Sequence, residues 1–177
     1  MTNVAAEPGS QEQEAPILGE ILTALLDPLA GQPAAAWKRG PDGTWTVAQI
    51  VEHIVLSLEA SAERFEKRRD RPAMERRSSV LQTIARNLVL RMEWFPSGGK
   101  APAVALPSAA PDPPVLERRL RAAVARFDRL AADLLPARAH DLFVGHHVFG
   151  DLTLPEWLRF HVIHTRHHAE QLRERLA

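Results

Sequence analysis

Residues 160–171 read Phe-His-Val-Ile-His-Thr-Arg-His-His-Ala-Glu-Gln, with four histidines inside the eight positions 161–168. On an α-helix each residue turns about 100°, so residues three, four or seven apart share a face. Measured from His161, His168 falls about 20° away and His164 about 60° away, while His167 points about 120° off. Trp157 and Leu172 continue the stripe of the first three, which places a row of imidazoles on a core-facing side. A buried row of imidazoles needs either a metal ion or a set of hydrogen bonds. It also needs facing helices to be buried against.

The helix that carries the row opens at Thr153. Thr153 and Glu156 have the spacing of a capping box, with Leu152 and Trp157 at the two staple positions. Thr46 and Gln49 repeat the device, with Trp45 and Ile50 as the staple, and open a helix that runs through His53 to about Arg69. Ser79 and Gln82 repeat it again before a segment that continues through Leu88 to Phe95 and stops at Pro96-Ser97-Gly98-Gly99. Upstream, Ile17, Leu18, Ile21, Leu22, Leu25, Leu26 and Leu29 recur at helical spacing up to Pro28–Gly31. Residues 96–114 hold six prolines without periodicity and read as an ordered, extended crossover. A further helix starts at Pro113-Pro114, where proline suits the first turn, and ends near Leu135-Pro136. Residues 136–152 read as a loop with His140, His146 and His147, and no strand pattern stands out. The fold class that follows is all-α: a four-helix bundle with crossover connections plus one additional helix, over residues 79–95. Residues 1–14, acidic and polar, read as a disordered tail, and residues 15–177 as one domain.

Composition narrows the function. Lys+Arg and Asp+Glu number 22 each, and the pI is near 7.1, which argues against a nucleic-acid binder. The basic run Arg64, Lys67, Arg68, Arg69 and Arg71 reads as a solvated helix end. There is no cysteine, so disulfides, thiolate ligands and a cysteine nucleophile are excluded, and any thiol chemistry must borrow its sulfur from a small molecule. No apolar run approaches the roughly 20 residues of a membrane span, and the N-terminus has no basic-then-apolar leader pattern. The expected location is the cytoplasm.

His164 and His168, four apart, can meet one ion from the same helix face. A third ligand must come from another helix, and His53 is the only histidine on any other predicted helix. Three neutral imidazoles form a common open site. His161 shares the stripe and can replace one ligand or support one by a hydrogen bond. His167 lies at the helix edge. His146 and His147 read as ordinary loop residues near the mouth of a site, and Trp45 and Trp157 as core.

The run Trp45-Thr46-Val47-Ala48-Gln49-Ile50-Val51-Glu52-His53, paired with His164-x3-His168-x2-Gln171, resembles the DinB/YfiT-like metalloprotein superfamily. Val148-Phe149-Gly150-Asp151-Leu152-Thr153, then Trp157 and His161 to His168, is similar to one uncharacterised branch with a C-terminal histidine-rich helix. The resemblance covers roughly residues 15–177. It implies a four-helix bundle holding one divalent transition metal, zinc or nickel, on His53, His164 and His168, in a homodimer. It further implies a metal-dependent transferase that adds a low-molecular-weight, bacillithiol-like thiol to an electrophile. Related mycothiol-dependent isomerases carry a carboxylate in place of one histidine, and this chain does not. A hydrolase using metal-activated water is the first alternative. It lacks an evident general base, because Glu52 points about 100° away from its neighbour His53. A non-catalytic, dimeric metal-binding protein is the other alternative. No catalytic or substrate-binding residue is assigned.

Overall fold

The computed structural model describes residues 18–95 and 99–177. The expected tail over 1–14 and most of the Pro96–Gly99 stop lie outside the described residues. Among the described residues, five helices carry the structure: α1 (Gly19–Leu26), α2 (Val47–Glu66), α3 (Val80–Met92), α4 (Pro113–Arg138) and α5 (Leu154–Leu176). Two strands, β1 (Phe143–His146) and β2 (Gly150–Thr153), form one antiparallel hairpin between α4 and α5. The protein is mostly helical, as the periodicity predicts. Among the described residues, no helix is long and apolar enough to cross a membrane.

Local chemistry starts three of these helices. Thr46 N donates to Gln49 Oε1 at 2.9 Å and Gln49 N to Thr46 Oγ1 at 3.3 Å. The same reciprocal pair forms at Ser79/Gln82 and at Thr153/Glu156. Each box satisfies backbone N–H groups that the first helical turn leaves without partners. In α4, Pro113 and Pro114 sit in the first turn, where the missing N–H costs nothing. Contrary to the expected end near Leu135-Pro136, α4 runs on through Pro136 to Arg138. Pro136 sits in the last turn, and Arg138 ties the end down through Asp141 and the Arg69 carbonyl.

The hairpin corrects the expectation of a plain loop over 136–152. Four-residue strands are too short for an alternating pattern to show, and β1 is held largely from outside. Arg64 and Arg68 donate to the carbonyls of Gly145 and Phe143, and Trp157 Nε1 donates to that of Val144. Two members of the basic run thus also bind the hairpin, Arg68 half-buried and Arg64 still exposed. Gly150 opens β2 at φ +69°, and a Cβ there would lie 2.5 Å from Ser78 Oγ, so only glycine fits.

The expected helix over 79–95 also ends early. Glu93 adopts φ 53°, a left-handed stop, which leaves Trp94 and Phe95 beyond the helix. One contiguous core joins all five helices, from Leu18 through Ile50, Leu58, Phe65, Leu120 and Phe127 to Leu172. α2 packs on α4 and α5, α1 on α4 and α5, and α3 on α5 and the hairpin. From residue 99 the crossover lies across α2, with one short turn at Ala103–Ala105 whose Ala105 is buried.

Candidate metal centre

His53 sits two turns into α2, while His164 and His168 are successive turns of one face of α5. Packing of α2 against α5 brings the three side chains together. His164 Nε2 lies 3.2 Å from His53 Nε2 and 3.1 Å from His168 Nε2. Among the described residues, this is the one group of three or more His, Cys, Asp or Glu whose ligand atoms converge, all within 4.8 Å of one another. Each histidine is at most 8% exposed.

Hydrogen bonds on the far side of the rings decide where the protons are. His53 Nδ1 is 2.7 Å from the Ala105 carbonyl oxygen, which can only accept, so Nδ1 carries the proton and Nε2 presents a bare lone pair. Gln171 Nε2 donates to His167 Nε2 at 3.1 Å, which turns the amide oxygen toward His168 Nδ1 at 3.0 Å. His168 is therefore also an Nδ1–H tautomer with Nε2 free. A proton on His164 Nε2 can serve only one of these two lone pairs squarely. Its own Nδ1 is buried without a hydrogen-bond partner among the described residues. An unsatisfied buried polar atom typically costs ~1–3 kcal/mol, and the protein alone leaves more than one here.

A cation removes the contest among the three Nε2 atoms and leaves only the His164 Nδ1–H without a partner among the described residues. Zinc–nitrogen bonds of about 2.0–2.1 Å in a tetrahedral arrangement imply nitrogen separations of about 3.3 Å. The two short separations observed fit that donor set. Burial supports it too, because it holds all three imidazoles neutral and ready to ligate. Burial lowers the His53 pKa, against a smaller opposing effect of the Ala105 carbonyl. Burial and then the neighbouring His168 and His53 push His164 well below the ordinary value. Burial, then His53, pushes His168 down to about 3.

The other sequence candidates fall around this centre. His161 lies one turn before His164, with its Nε2 3.1 Å from Ser61 Oγ and its ring against Phe127 and Trp157. It is fully buried, which pushes its pKa down to about 3, and it is not in the converging group. His167 stacks on Phe95 at 4.9 Å and orients Gln171, so it acts on His168 from the helix edge. His146 accepts the N–H groups of Val148 and Phe149 and packs on Phe149, as the pivot of the hairpin turn. His147 is exposed at its tip.

Several contributors have no signal in the sequence. Trp45, expected as a staple in the core, is half-buried with its ring 4.8 Å from that of His53 and 6.2 Å from that of His168. Phe95, released from α3 by the stop at Glu93, stacks on His164 at 5.3 Å, and Phe160 stacks on it at 5.1 Å. The Ala105 carbonyl is backbone, which no motif encodes. Gln171 was visible, three residues beyond His168. Two surface grooves, of about 390 Å³ between α2 and α4 and about 610 Å³ between α1 and α5, include none of the three histidines.

A family model described as "Protein of unknown function (DUF1569)" matches residues 31–175. No curated protein and no solved structure matches the chain.

Proposed function

From the premise that this chain belongs to the DUF1569 family, a family of unknown function, we propose that it is a DinB/YfiT-like metalloprotein. In this reading α1, α2, α4 and α5 make a four-helix bundle, and α3 is the additional helix. One divalent ion, zinc or nickel, is held by His53, His164 and His168. The observation that carries this is the convergence of three buried Nε2 atoms, two of which the hydrogen bonds behind them leave as lone pairs.

The proposed activity is transfer of a low-molecular-weight, bacillithiol-like thiol to an electrophile in the cytoplasm. When bound, the ion supplies Lewis acidity that makes a thiol or water acidic near neutral pH, undiminished by the neutral imidazoles. The chain's residues do the rest. Ala105 and Gln171 hold two imidazoles as Nδ1–H tautomers, and Trp45, Phe95 and Phe160 wall the centre with apolar rings. No carboxylate joins the converging group, and Glu52 is occupied elsewhere by Ser108. Hydrolysis needs a positioned base, so transfer of a readily ionised thiol suits the site better than hydrolysis by metal-activated water. A non-catalytic metal-binding role is the second reading. Its support is the low exposure of the three histidines and their separation from both grooves.

Untagged protein is expected to carry close to one zinc or nickel per chain by elemental analysis. Loaded protein is expected to consume a chromogenic electrophile with one member of a thiol panel and to leave a generic ester intact. Turnover of the ester alone would favour the hydrolase. Metal without any turnover would favour the non-catalytic reading, and absence of metal after reconstitution would end all three.

The proposed partner is a second copy of this chain, meeting across α3. Leu81, Ile84 and Met92 share one side of that helix, and with Val80 and Trp94 they are 52–79% exposed. Together these side chains present roughly 600 Å², the upper end for a monomer's largest apolar patch. Two such faces would bury about 1,200 Å², the lower end for a stable interface. The only charge between Ser79 and Leu90 is Arg86, which turns inward to Ser78 and Glu156, so two copies meet without like-charge conflict. The wild type is expected to sediment as a dimer, and Leu81→Glu with Ile84→Glu as a folded monomer. A monomeric wild type would refute the interface.

A further inference from the structure

Glu52 precedes a proposed ligand, and its role is visible in what it holds. It is buried on α2, and its Oε2 accepts from Ser108 N at 2.6 Å and from Ser108 Oγ at 2.9 Å. Its Oε1 lies 3.7 Å from Arg119 Nη1 on α4, whose guanidinium is forked onto Glu59 at 2.7 and 3.1 Å. One turn earlier, Gln49 Nε2 donates to the Ser108 carbonyl at 3.1 Å. His53, the next residue, donates to Ala105 at 2.7 Å. Three residues of α2 therefore strap the segment Ala105–Ser108 onto the helix.

The strap is a proline-flanked stretch with one short turn, bonded Ala105 N to Pro102 O, and its contacts are with α2. Ala105 O is the only polar partner shown for His53 Nδ1. If the carbonyl moves, nothing holds the proton on Nδ1, and a proton on Nε2 blocks the lone pair that faces His164. We propose that Glu52 is a positioning residue that acts through Ser108 to keep the Ala105 carbonyl on His53, and so keeps His53 in its ligand-competent tautomer. A general-base role does not fit, because Oε2 is taken by Ser108 and Oε1 faces Arg119 on α4. The consequence for metal affinity rests on the proposed centre. The tautomer effect does not.

The test reads ring-nitrogen tautomers by long-range proton–nitrogen NMR on the full-length, metal-free protein. In the wild type, His53 is expected wholly as Nδ1–H. In Glu52→Ala, the Nε2–H form of His53 is expected to rise to a comparable share. His168, held by Gln171, should not change, which a general loss of structure would not spare. Glu52→Gln keeps one acceptor for Ser108 N and is expected to restore the wild-type tautomer. Ser108→Ala loses only the hydroxyl bond and should give an intermediate shift. It also carries the test if Glu52→Ala does not fold. Zinc affinity in Glu52→Ala is expected to fall about tenfold, the usual scale for losing a residue that orients a ligand. His53 remaining wholly Nδ1–H in Glu52→Ala and Ser108→Ala would overturn the proposal. A tautomer shift in a protein that binds no metal would uphold it and sink the metal reading alone.

Discussion

His164→Ala is expected to reduce bound metal from close to one ion per chain to near zero. His164 Nε2 is the shared neighbour of the other two ligand atoms, at 3.1 and 3.2 Å. Without it, His53 on α2 and His168 on α5 remain as a two-nitrogen site. Losing even a residue that merely orients a ligand costs roughly 10- to 100-fold in affinity, and losing a ligand costs more. Stability should report the same loss. An ion present at about a thousand times its dissociation constant stabilises the fold by roughly 4 kcal/mol. A chelator should therefore lower the wild-type melting temperature and leave His164→Ala unmoved. His164 also fills space between Phe95 and Phe160, so the metal-free variant should melt somewhat lower for a packing reason. His168→Ala, nearer the surface, separates the two effects: it should lose the ion with a smaller packing defect. Retention of one ion by either variant would refute the assignment.

The second large effect is loss of stability in mild acid. His161 is pushed down to about 3 by burial, and His146 to about 3 by burial and then by its neighbours His147, His161 and Arg64. Unfolded, each returns to about 6.5. Between these values the unfolded chain binds the proton and the folded chain does not, so stability is complete above about 6.5 and is lost as pH falls. Each histidine then contributes a loss of about 1.4 kcal/mol per pH unit, and the pair roughly 3 kcal/mol per unit. Against a total stability of about 5–15 kcal/mol, the metal-free protein should unfold within two or three units. Burial moves His53, His164 and His168 in the same direction. The depressed carboxylate Glu156, held low by Arg76 and Thr153 against its burial, loses its contribution only below its ordinary range, near 4.5. Denaturant midpoints measured from pH 8 to pH 5 keep the two windows apart. They should be flat above pH 7 and fall steeply below about 6.5. His161→Leu should remove about one proton from the slope. A flat profile down to pH 5 would mean that these histidines are charged in the folded protein.

Much of the helical content was legible because its causes are local. The boxes at Thr46/Gln49, Ser79/Gln82 and Thr153/Glu156 each lie within four residues, and all three form. The hairpin was not legible, because β1 and β2 are four residues each and their support comes from Arg64, Arg68 and Trp157. The early end of α3 escaped notice because its stop is Glu93 in a left-handed conformation, which no glycine announced. Trp45 read as a core staple, and its second role as a wall of the site was not legible. Only the approach of α5 to α2 separates those roles.

By itself, the sequence determined that this chain is helical, that it has no thiol of its own, and that His161, His164 and His168 share one face of the last helix. Helical periodicity and capping depend on neighbours within a turn, and composition on none. Tertiary structure decided which imidazoles meet. His161 turns to Ser61, whereas His164 and His168 converge on His53, which lies 111 residues before His164. It also decided where the protons sit, through a carbonyl at Ala105 and an amide at Gln171. Lone pairs are directed over about 3 Å, and a residue's type does not say which way its ring is turned.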